Sequence, residues 1–192
     1  NATNPNCLFE VGTEEAIRVF SDSDLSKLLG DLEKNLSKEL FLKIKYGVVQ
    51  SGVGLDLGNQ INTGTFDPNR LRKMVEICDS YNILSKEHNG DYLSFDEMET
   101  RFEIGLNSIN IAPEFGQLET DLFLEILKKT DDKLFEDFYN ICFQSKRWEK
   151  WVDKSFNPEA EKEKVIKISG HYVFSEPNFI ILKKKIADCQ NI

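Results

Sequence analysis

The chain has 192 residues, of which 40% are hydrophobic and 30% are charged, and its formal net charge at pH 7 is −9. This length suits one domain with a substantial core, and the composition is that of an ordinary globular protein rather than a disordered one. The negative charge disfavours binding to nucleic acid, and no apolar run approaches the ~20 residues of a membrane-spanning helix.

The four cysteines are far apart along the chain and form no C-x-x-C pair. No basic segment followed by an apolar stretch opens the sequence, so a retained signal peptide is not expected. We therefore predict a cytoplasmic protein with reduced thiols rather than a disulfide framework or a zinc knuckle. Cys78 and Cys142 lie among apolar neighbours and are predicted core residues.

Short apolar segments alternate with amphipathic segments along the chain. The predicted strands are residues 7–12, 46–54, 81–84, 107–112 and 165–169. The predicted helices are residues 23–42, 67–78, 94–105, 119–129, 131–151 and 175–188. Residues 55–66 hold several Gly and Asn without a clear period, and we expect a long loop there, of the kind that often carries function.

The ends of two of these helices carry specific signals. Asp67 precedes Pro68, which is typical of a helix N-terminus with proline at the first helical position. Ser94 and Glu97 match a capping box, in which each side chain binds the other residue's backbone amide. Gly105 is placed to end the same helix in the left-handed conformation.

Alternating strands and helices predict right-handed βαβ units and therefore a parallel sheet. A complete eight-fold TIM barrel needs ~250 residues, which is more than this chain has. We therefore predict an α/β fold of the (β/α)8 TIM-barrel type, with residues 1–192 forming one partial domain that holds the C-terminal half to two-thirds of the barrel. The chain begins at Asn1 rather than at methionine, and we expect the N-terminal βα-units to be missing.

Polar side chains stand where several of the predicted strands end. They are Glu14, Gln50, His88, Asp91 and Glu114. In a parallel barrel the carboxyl ends of the strands meet at one mouth, where barrel enzymes place their active sites. An imidazole and carboxylates can hold a divalent ion that polarises a substrate carbonyl. His88 and Glu14 are therefore the predicted metal ligands, with zinc the first choice.

Proton transfer at such a mouth also needs a base close to the proton that it removes. Glu14 and Glu114 are the predicted bases, and Asp91 is a further catalytic candidate. The predicted substrate-binding residues are Gln50, Ser51 and His171. The last of these follows a predicted strand, so we expect it to reach the same mouth.

Each of these residues also has a purely structural explanation. A lone histidine at a barrel rim is often hydrogen-bonded rather than bound to metal, and His88 can be of that kind. Glu14 and Glu114 can stabilise helix N-termini through the helix dipole. Asp91 ends an Asn-Gly-Asp run that favours a tight turn, and Gln50 can hydrogen-bond the loop that follows it.

Four short motifs resemble those of the GatZ/KbaZ-like family, the non-catalytic subunit of class II tagatose-bisphosphate aldolase. Residues 87–92 read E-H-N-G-D-Y and resemble the family's A-H-S-T-D-Y. Residues 12–14 are similar to its G-T-E, residues 49–53 to its V-Q-P-G-V, and residues 109–113 to its L-K-V-G-P. Ser51 stands where the family has proline, which implies a divergent branch.

This resemblance implies a TIM barrel and a role beside a zinc-dependent aldolase, and some relatives are thought to epimerise ketose phosphates. We therefore expect a carbohydrate-metabolism protein that binds or processes a sugar phosphate as an accessory subunit of an aldolase. Its expected partner is the catalytic aldolase subunit or a second copy of the chain. Two alternatives stay open: a stand-alone metal-dependent ketose-phosphate epimerase or aldolase, and a non-catalytic binding or structural fragment.

Overall fold

The structure is a computed structural model that describes residues 4, 6–12 and 19–190. Its strands are β1 Phe9–Val11, β2 Ile44–Val49, β3 Leu55–Asp56, β4 Ile61–Asn62, β5 Leu84–Glu87 and β6 Ser108–Ile109. Its helices are α1 Asp22–Asn35, α2 Lys38–Phe41, α3 Pro68–Ser80, α4 Phe95–Ile104, α5 Pro113–Thr130, α6 Asp132–Ser145, α7 Lys162–Val173 and α8 Pro177–Gln190, with a 3-10 turn at Glu149–Trp151. The described residues therefore form a mixed α/β fold.

The chain divides into two compact units. The first comprises Asn1–Leu55 and Ile61–Ile111, and the second comprises Asp56–Gln60 and Ala112–Ile192. Within the described residues, no helix is long and apolar enough to cross a membrane.

A parallel sheet with the strand order β1-β2-β5-β6 forms the centre of the first unit. Each neighbouring pair of strands in it runs parallel. Helices lie in the connections between successive strands, as parallel pairing requires. The predicted parallel α/β arrangement is confirmed for these strands, whereas the closed barrel and the single domain over residues 1–192 stay predictions.

The apolar core of the first unit joins this sheet to α1 and α3. Leu25 and Leu29 of α1 and Leu71 and Met74 of α3 are fully buried in one cluster with strand residues. Their spacing of three or four positions is that of a helix with one apolar face. Cys78 belongs to the same cluster, which confirms its predicted place in the core.

Residues 112–190 of the second unit are mainly helical, with α7 packed against both α5 and α6. Gly170 of α7 lies so close to α5 that a Cβ atom there would come within 2.5 Å of Thr120 Cγ2. A glycine is therefore needed where these two helices meet. The rings of Phe123, Phe138 and Phe179 pack edge to face or tilted around the same core, and Cys142 is buried as predicted.

The predicted strand at residues 165–169 is wrong, because these residues lie inside α7. Val165 and Ile168 are completely buried and lie three positions apart, as on one face of a helix. Their β-branched side chains favour strands in isolation, but burial against α5 and α6 outweighs that preference. His171 therefore stands in the last turn of a helix and does not follow a strand.

Other boundaries differ in smaller ways. The predicted helix over residues 23–42 ends at Asn35, and α2 starts afresh after Ser37, whose side chain caps it. The loop predicted at residues 55–66 contains β3 and β4. The helix expected from residue 119 already begins at Pro113. The caps predicted at Asp67, Ser94 and Gly105 are all confirmed.

Candidate functional site

The side chains of strand β5 alternate between the two faces of the parallel sheet. Ser85 and Glu87 are buried, whereas Leu84 and Lys86 are partly exposed. Successive residues of a strand point to opposite faces, so His88, the next residue after the strand, continues the face of Lys86. A strand that is covered by helices on one face thus presents a cation and an imidazole on the other.

Glu10 of β1 connects these two groups. Its Oε2 accepts a hydrogen bond from Lys86 Nζ at 2.6 Å, and its Oε1 lies 2.5 Å from His88 Nε2. The pairing of β1 with β2 and of β2 with β5 brings Glu10 across the sheet to the other two residues. We refer to Glu10, Lys86 and His88 as the acid–base cluster.

The acid–base cluster is accessible and strongly polar. The side chains of Glu10, Lys86 and His88 are 30%, 20% and 22% exposed. Burial raises the pKa of Glu10, but hydrogen bonds from Lys86 and His88 outweigh it and hold that pKa below its ordinary value of 4.5. Glu10 is therefore ionised at neutral pH. The Lys86 ammonium also lies 5.5 Å from the centre of the Tyr46 ring, a cation–π contact.

A buried ion pair holds the other face of the same strand end. Arg101 Nε of α4 donates to Glu87 Oε2 at 2.7 Å, and the two side chains are 2% and 0% exposed. Ser51 Oγ donates to the second carboxylate oxygen of Glu87. The guanidinium also stacks over the ring of Phe66 at 4.1 Å. Because Glu87 directly precedes His88, this network fixes the backbone that carries the imidazole.

Gln50 and Ser51, the predicted binding residues of the first unit, are both buried and serve the fold. Gln50 Oε1 accepts hydrogen bonds from the backbone N–H of Phe20 at 2.6 Å and from Arg70 Nη2 at 3.0 Å. Arg70 also donates to the carbonyl oxygen of Phe20 at 2.7 Å. Gln50 thus holds the segment that leads into α1, and Ser51 holds Glu87, so these side-chain bonds do not go to the loop that follows Gln50. The predicted substrate-binding role of both residues stays a prediction.

Asp91 lies in a tight loop after His88. Asn89 and Tyr92 have positive φ angles of 59° and 61°, and Asp91 is 1% exposed. Asn62 Nδ2 donates to the backbone carbonyls of Asn89 and Asp91 at 3.0 and 3.1 Å. The turn that was the alternative explanation for Asp91 is therefore present, while its catalytic role stays a prediction.

The second unit contains the predicted site residues Glu114 and His171. Glu114 lies in the first turn of α5 and is partly exposed, so the alternative position near a helix N-terminus is present. Gly116, in the same turn, packs against His171, since a Cβ atom on that glycine would come within 2.5 Å of His171 Cβ. The structure thus brings α5 and His171 together within this unit. The predicted base role of Glu114 and binding role of His171 stay predictions.

Glu14, the remaining predicted residue, lies outside the described residues. Among the residues that the structure describes, no three His, Cys, Asp or Glu side chains form a group that could hold a metal ion. His88 and Glu10 are adjacent and could supply two ligands, whereas a catalytic zinc ion normally has three. The ammonium of Lys86 on the same carboxylate further disfavours a cation there. The described residues alone therefore do not fit a zinc site, and the third ligand predicted at Glu14 is untested.

Sequence reasoning missed three residues of this region, Glu10, Lys86 and Arg101. The predicted site residues follow the ends of predicted strands, whereas Glu10 and Lys86 lie within strands. A usable signal exists for Glu10, since it is a charged residue between the apolar Phe9 and Val11 of a short strand. Arg101 carries no comparable signal, because charged residues are ordinary on a helix.

Comparisons with known proteins give a likeness in fold alone. No protein-family model matches the chain, and no curated protein matches it. The native crystal structure of fructuronate-tagaturonate epimerase UxaE from Cohnella laeviribosi aligns with a TM-score of 0.58 and 13% identity, over 96% of this chain and 42% of that one. The crystal structure of the same enzyme complexed with one glycerol aligns with a TM-score of 0.53 and 15% identity, over 92% and 37%. The chain thus spans less than half the length of these structures.

Proposed function

We propose that the chain is part of a TIM-barrel protein of carbohydrate metabolism that epimerises a keto sugar bearing an anionic group, either a ketose phosphate or a keto sugar acid. The observation that carries this proposal is the contact of Lys86 and His88 with the one carboxylate of Glu10 at the carboxyl-end side of a parallel sheet. The fold likeness to a fructuronate-tagaturonate epimerase supports the same class of substrate.

Fructuronate and tagaturonate differ at C4, which is not adjacent to the C2 carbonyl, so their interconversion needs reversible cleavage of the C3–C4 bond. A base takes the proton of the C4 hydroxyl, C4 becomes an aldehyde carbon, and the electron pair of the broken bond forms an enolate over C2 and C3 whose oxygen carries negative charge. Rotation of the aldehyde, re-formation of the C3–C4 bond and return of the proton complete the inversion. The Lys86 ammonium is the group suited to hold that oxygen, because a fixed cation stabilises charge that develops in the transition state. His88 is the group suited to take and return the proton, since histidine is the side chain that enzymes use most often for proton transfer. Glu10 has a lowered pKa and is a weak base. Its role is therefore to position the other two residues rather than to remove the proton.

A divalent metal ion, with zinc the first candidate, is a further part of this proposal. When bound, such an ion would act as a Lewis acid on the sugar carbonyl. His88 and Glu10 would hold it together with Glu14. The steps assigned to Lys86 and His88 do not depend on it.

A second proposal is that the chain is an accessory subunit of a class II sugar-bisphosphate aldolase. The observation that favours it is the resemblance of its four motifs to the GatZ/KbaZ-like family. In this case the acid–base cluster binds the sugar without turning it over, and the partner is a catalytic aldolase subunit. The chain alone would then be inactive, and its addition would raise the activity of such an aldolase.

Purified protein tested alone with fructuronate, tagaturonate and ketose phosphates in deuterium oxide distinguishes these proposals. We expect fructuronate and tagaturonate to interconvert without solvent deuterium at the inverted carbon, because that carbon keeps its hydrogen when the C3–C4 bond breaks and re-forms. Deuterium at the inverted carbon would instead show that a C–H proton is removed there. Activity that chelators remove and zinc restores would support the metal. Complete inactivity of the whole protein, with stimulation of a class II aldolase, would replace the epimerase by the accessory role.

Variants of the acid–base cluster then test the assignment of residues. His88→Gln and Lys86→Met should each lower kcat by roughly 10²–10⁴, the range for a lost proton-transfer or charge-stabilising group. Lys73→Met is the matched control. The Lys73 side chain is 65% exposed, and its ammonium lies 3.8 Å from Asp22, so the contact joins helices α3 and α1. An unchanged kcat in both cluster variants would show that the chemistry lies elsewhere.

A further inference from the structure

The second unit contains a group of cationic and aromatic side chains that the proposed function does not use. It consists of Arg147, Lys150, Trp151, His171 and Tyr172, and we call it the cation–aromatic cluster. Lys150 Nζ lies 4.8 Å from the centre of the Trp151 ring and 5.7 Å from that of Tyr172. The Arg147 guanidinium lies 5.9 Å from the Tyr172 ring, which in turn packs on His171 with ring centres 3.9 Å apart.

Two buried nitrogen atoms of this cluster have no hydrogen-bond partner among the described residues. They are Trp151 Nε1 and His171 Nδ1. Buried polar atoms in native proteins nearly always have a protein, water or ligand partner. The second tryptophan makes the contrast clear, since Trp148 Nε1 donates to the carbonyl oxygen of Phe143 at 3.1 Å. The cluster therefore has hydrogen-bonding capacity that the surrounding protein does not satisfy.

The charges of the cluster also lack carboxylate partners. Arg147 and Lys150 are exposed, and neither forms an ion pair within the described part of the chain. Most other lysines of the second unit do pair, for example Lys162 with Glu136 at 2.7 Å. Two unpaired cations beside an unsatisfied indole N–H match the chemistry of a small oxyanion, because charge-assisted hydrogen bonds to carboxylate and phosphate are the strong ones.

We infer that the cation–aromatic cluster binds a small oxyanion, a carboxylate or a phosphate group, through Arg147, Lys150 and the indole N–H of Trp151. Cation–π contacts with the rings of Trp151 and Tyr172 hold the two cations in place. His171 adds a ring nitrogen that can bond a hydroxyl group next to the anion. All residues of this site belong to the second unit. The site does not depend on the proposed epimerase activity.

Indole resonances in 15N–1H spectra test the site directly, because the chain has only two tryptophans. Inorganic phosphate and D-glucuronate are the anionic probes, and D-fructose is the neutral one. We expect a saturable shift of the Trp151 indole signal with at least one anion, while the Trp148 signal stays in place. A shift with D-glucuronate but not with phosphate would identify carboxylate as the preferred group. A shift with phosphate but not with D-glucuronate would identify phosphate. An equal response to D-fructose, or one that sodium chloride at the same ionic strength reproduces, would overturn the inference.

Charge variants complete the test. Lys150→Met and Arg147→Met should each weaken anion binding by roughly tenfold, the effect of losing about 1.4 kcal/mol of binding free energy. Lys154→Met, which removes an exposed cation of the same region, is the matched control and should bind as the wild type does. If both cluster variants fold, as the Trp148 signal reports, and bind with wild-type affinity, the site assignment is wrong.

Discussion

The carboxylate of Glu10 lies 2.5 Å from Nε2 of His88, although 78 positions separate the two residues in the chain. The same carboxylate holds Lys86 through its other oxygen. A single anion therefore sets the positions of a cation and an imidazole. This arrangement makes Glu10 the residue whose replacement should disturb both partners at once.

Replacing Glu10 by glutamine should lower kcat in the proposed epimerisation by roughly 10- to 100-fold, as is usual when a group that orients a functional histidine is lost. KM should change little, because Lys86 and His88 are still present. The shape of the pH–rate profile should also change, which a purely structural loss would not cause. Glu33→Gln, a change at an exposed position of α1, is the control. A wild-type kcat in Glu10→Gln would contradict the positioning role.

Acid should remove the contribution of Glu10 to stability. Its folded-state pKa lies below the ordinary value of 4.5, so the unfolded chain takes up the proton first as the pH falls, and this favours unfolding. The contribution is present above pH 4.5 and is lost as the pH falls through the lower folded pKa. Urea unfolding at neutral and acid pH should show a smaller acid loss in Glu10→Gln than in the wild type. Equal acid losses of unfolding free energy in both proteins would contradict this contribution of Glu10.

The ion pair of Glu87 with Arg101 gives a prediction about stability. Arg101→Met leaves a carboxylate buried without its cation, and we expect a loss of about 3–5 kcal/mol in the free energy of unfolding. The double change Glu87→Leu with Arg101→Met should lose less, because it leaves no unpaired charge. Urea denaturation of the single and double variants gives the comparison. A double variant as unstable as the sum of its single changes would show that the pair is not coupled.

Local signals allowed a good part of the fold to be predicted. The capping residues Asp67 and Ser94 were identified because they bind backbone atoms only two or three positions away. The parallel order of strands followed from the alternation of elements. The strand predicted at residues 165–169 failed because the partners that bury Val165 and Ile168 lie in helices distant in sequence.

The candidate site was predicted only in part for the same physical reason. His88 was predicted from its position after a strand, and the structure places it directly after the last residue of β5. Its contact with Glu10 depends on the register of β1 against β2 and of β2 against β5. A shift of one residue in either pairing would turn Glu10 or Lys86 to the other face. No local feature of the sequence determines that register.

The pKa of His171 in the folded protein should lie well below that of a histidine in an unfolded chain. Burial, and then the charge of Lys150, lowers its pKa from 6.5 to about 4. Between these values the unfolded chain is protonated and the folded chain is not, so stability falls as the pH falls through this range. The imidazole C–H resonance of His171, assigned with His171→Gln, should move near pH 4. A midpoint close to 6.5 would show that the ring is solvated.

Gly52 should tolerate no side chain. Its φ angle is +95°, and a Cβ atom there would overlap the backbone carbonyl of Thr65. Gly52→Ala should therefore cost about 2–4 kcal/mol of unfolding free energy, from left-handed strain together with overpacking. It should also displace Ser51, which bonds Glu87 beneath the acid–base cluster. Gly30→Ala in α1 is the control, since it meets only the tip of Tyr81 and gains up to ~1 kcal/mol of helix propensity. Equal stabilities of the two variants in urea denaturation would show that the backbone at Gly52 relaxes without cost.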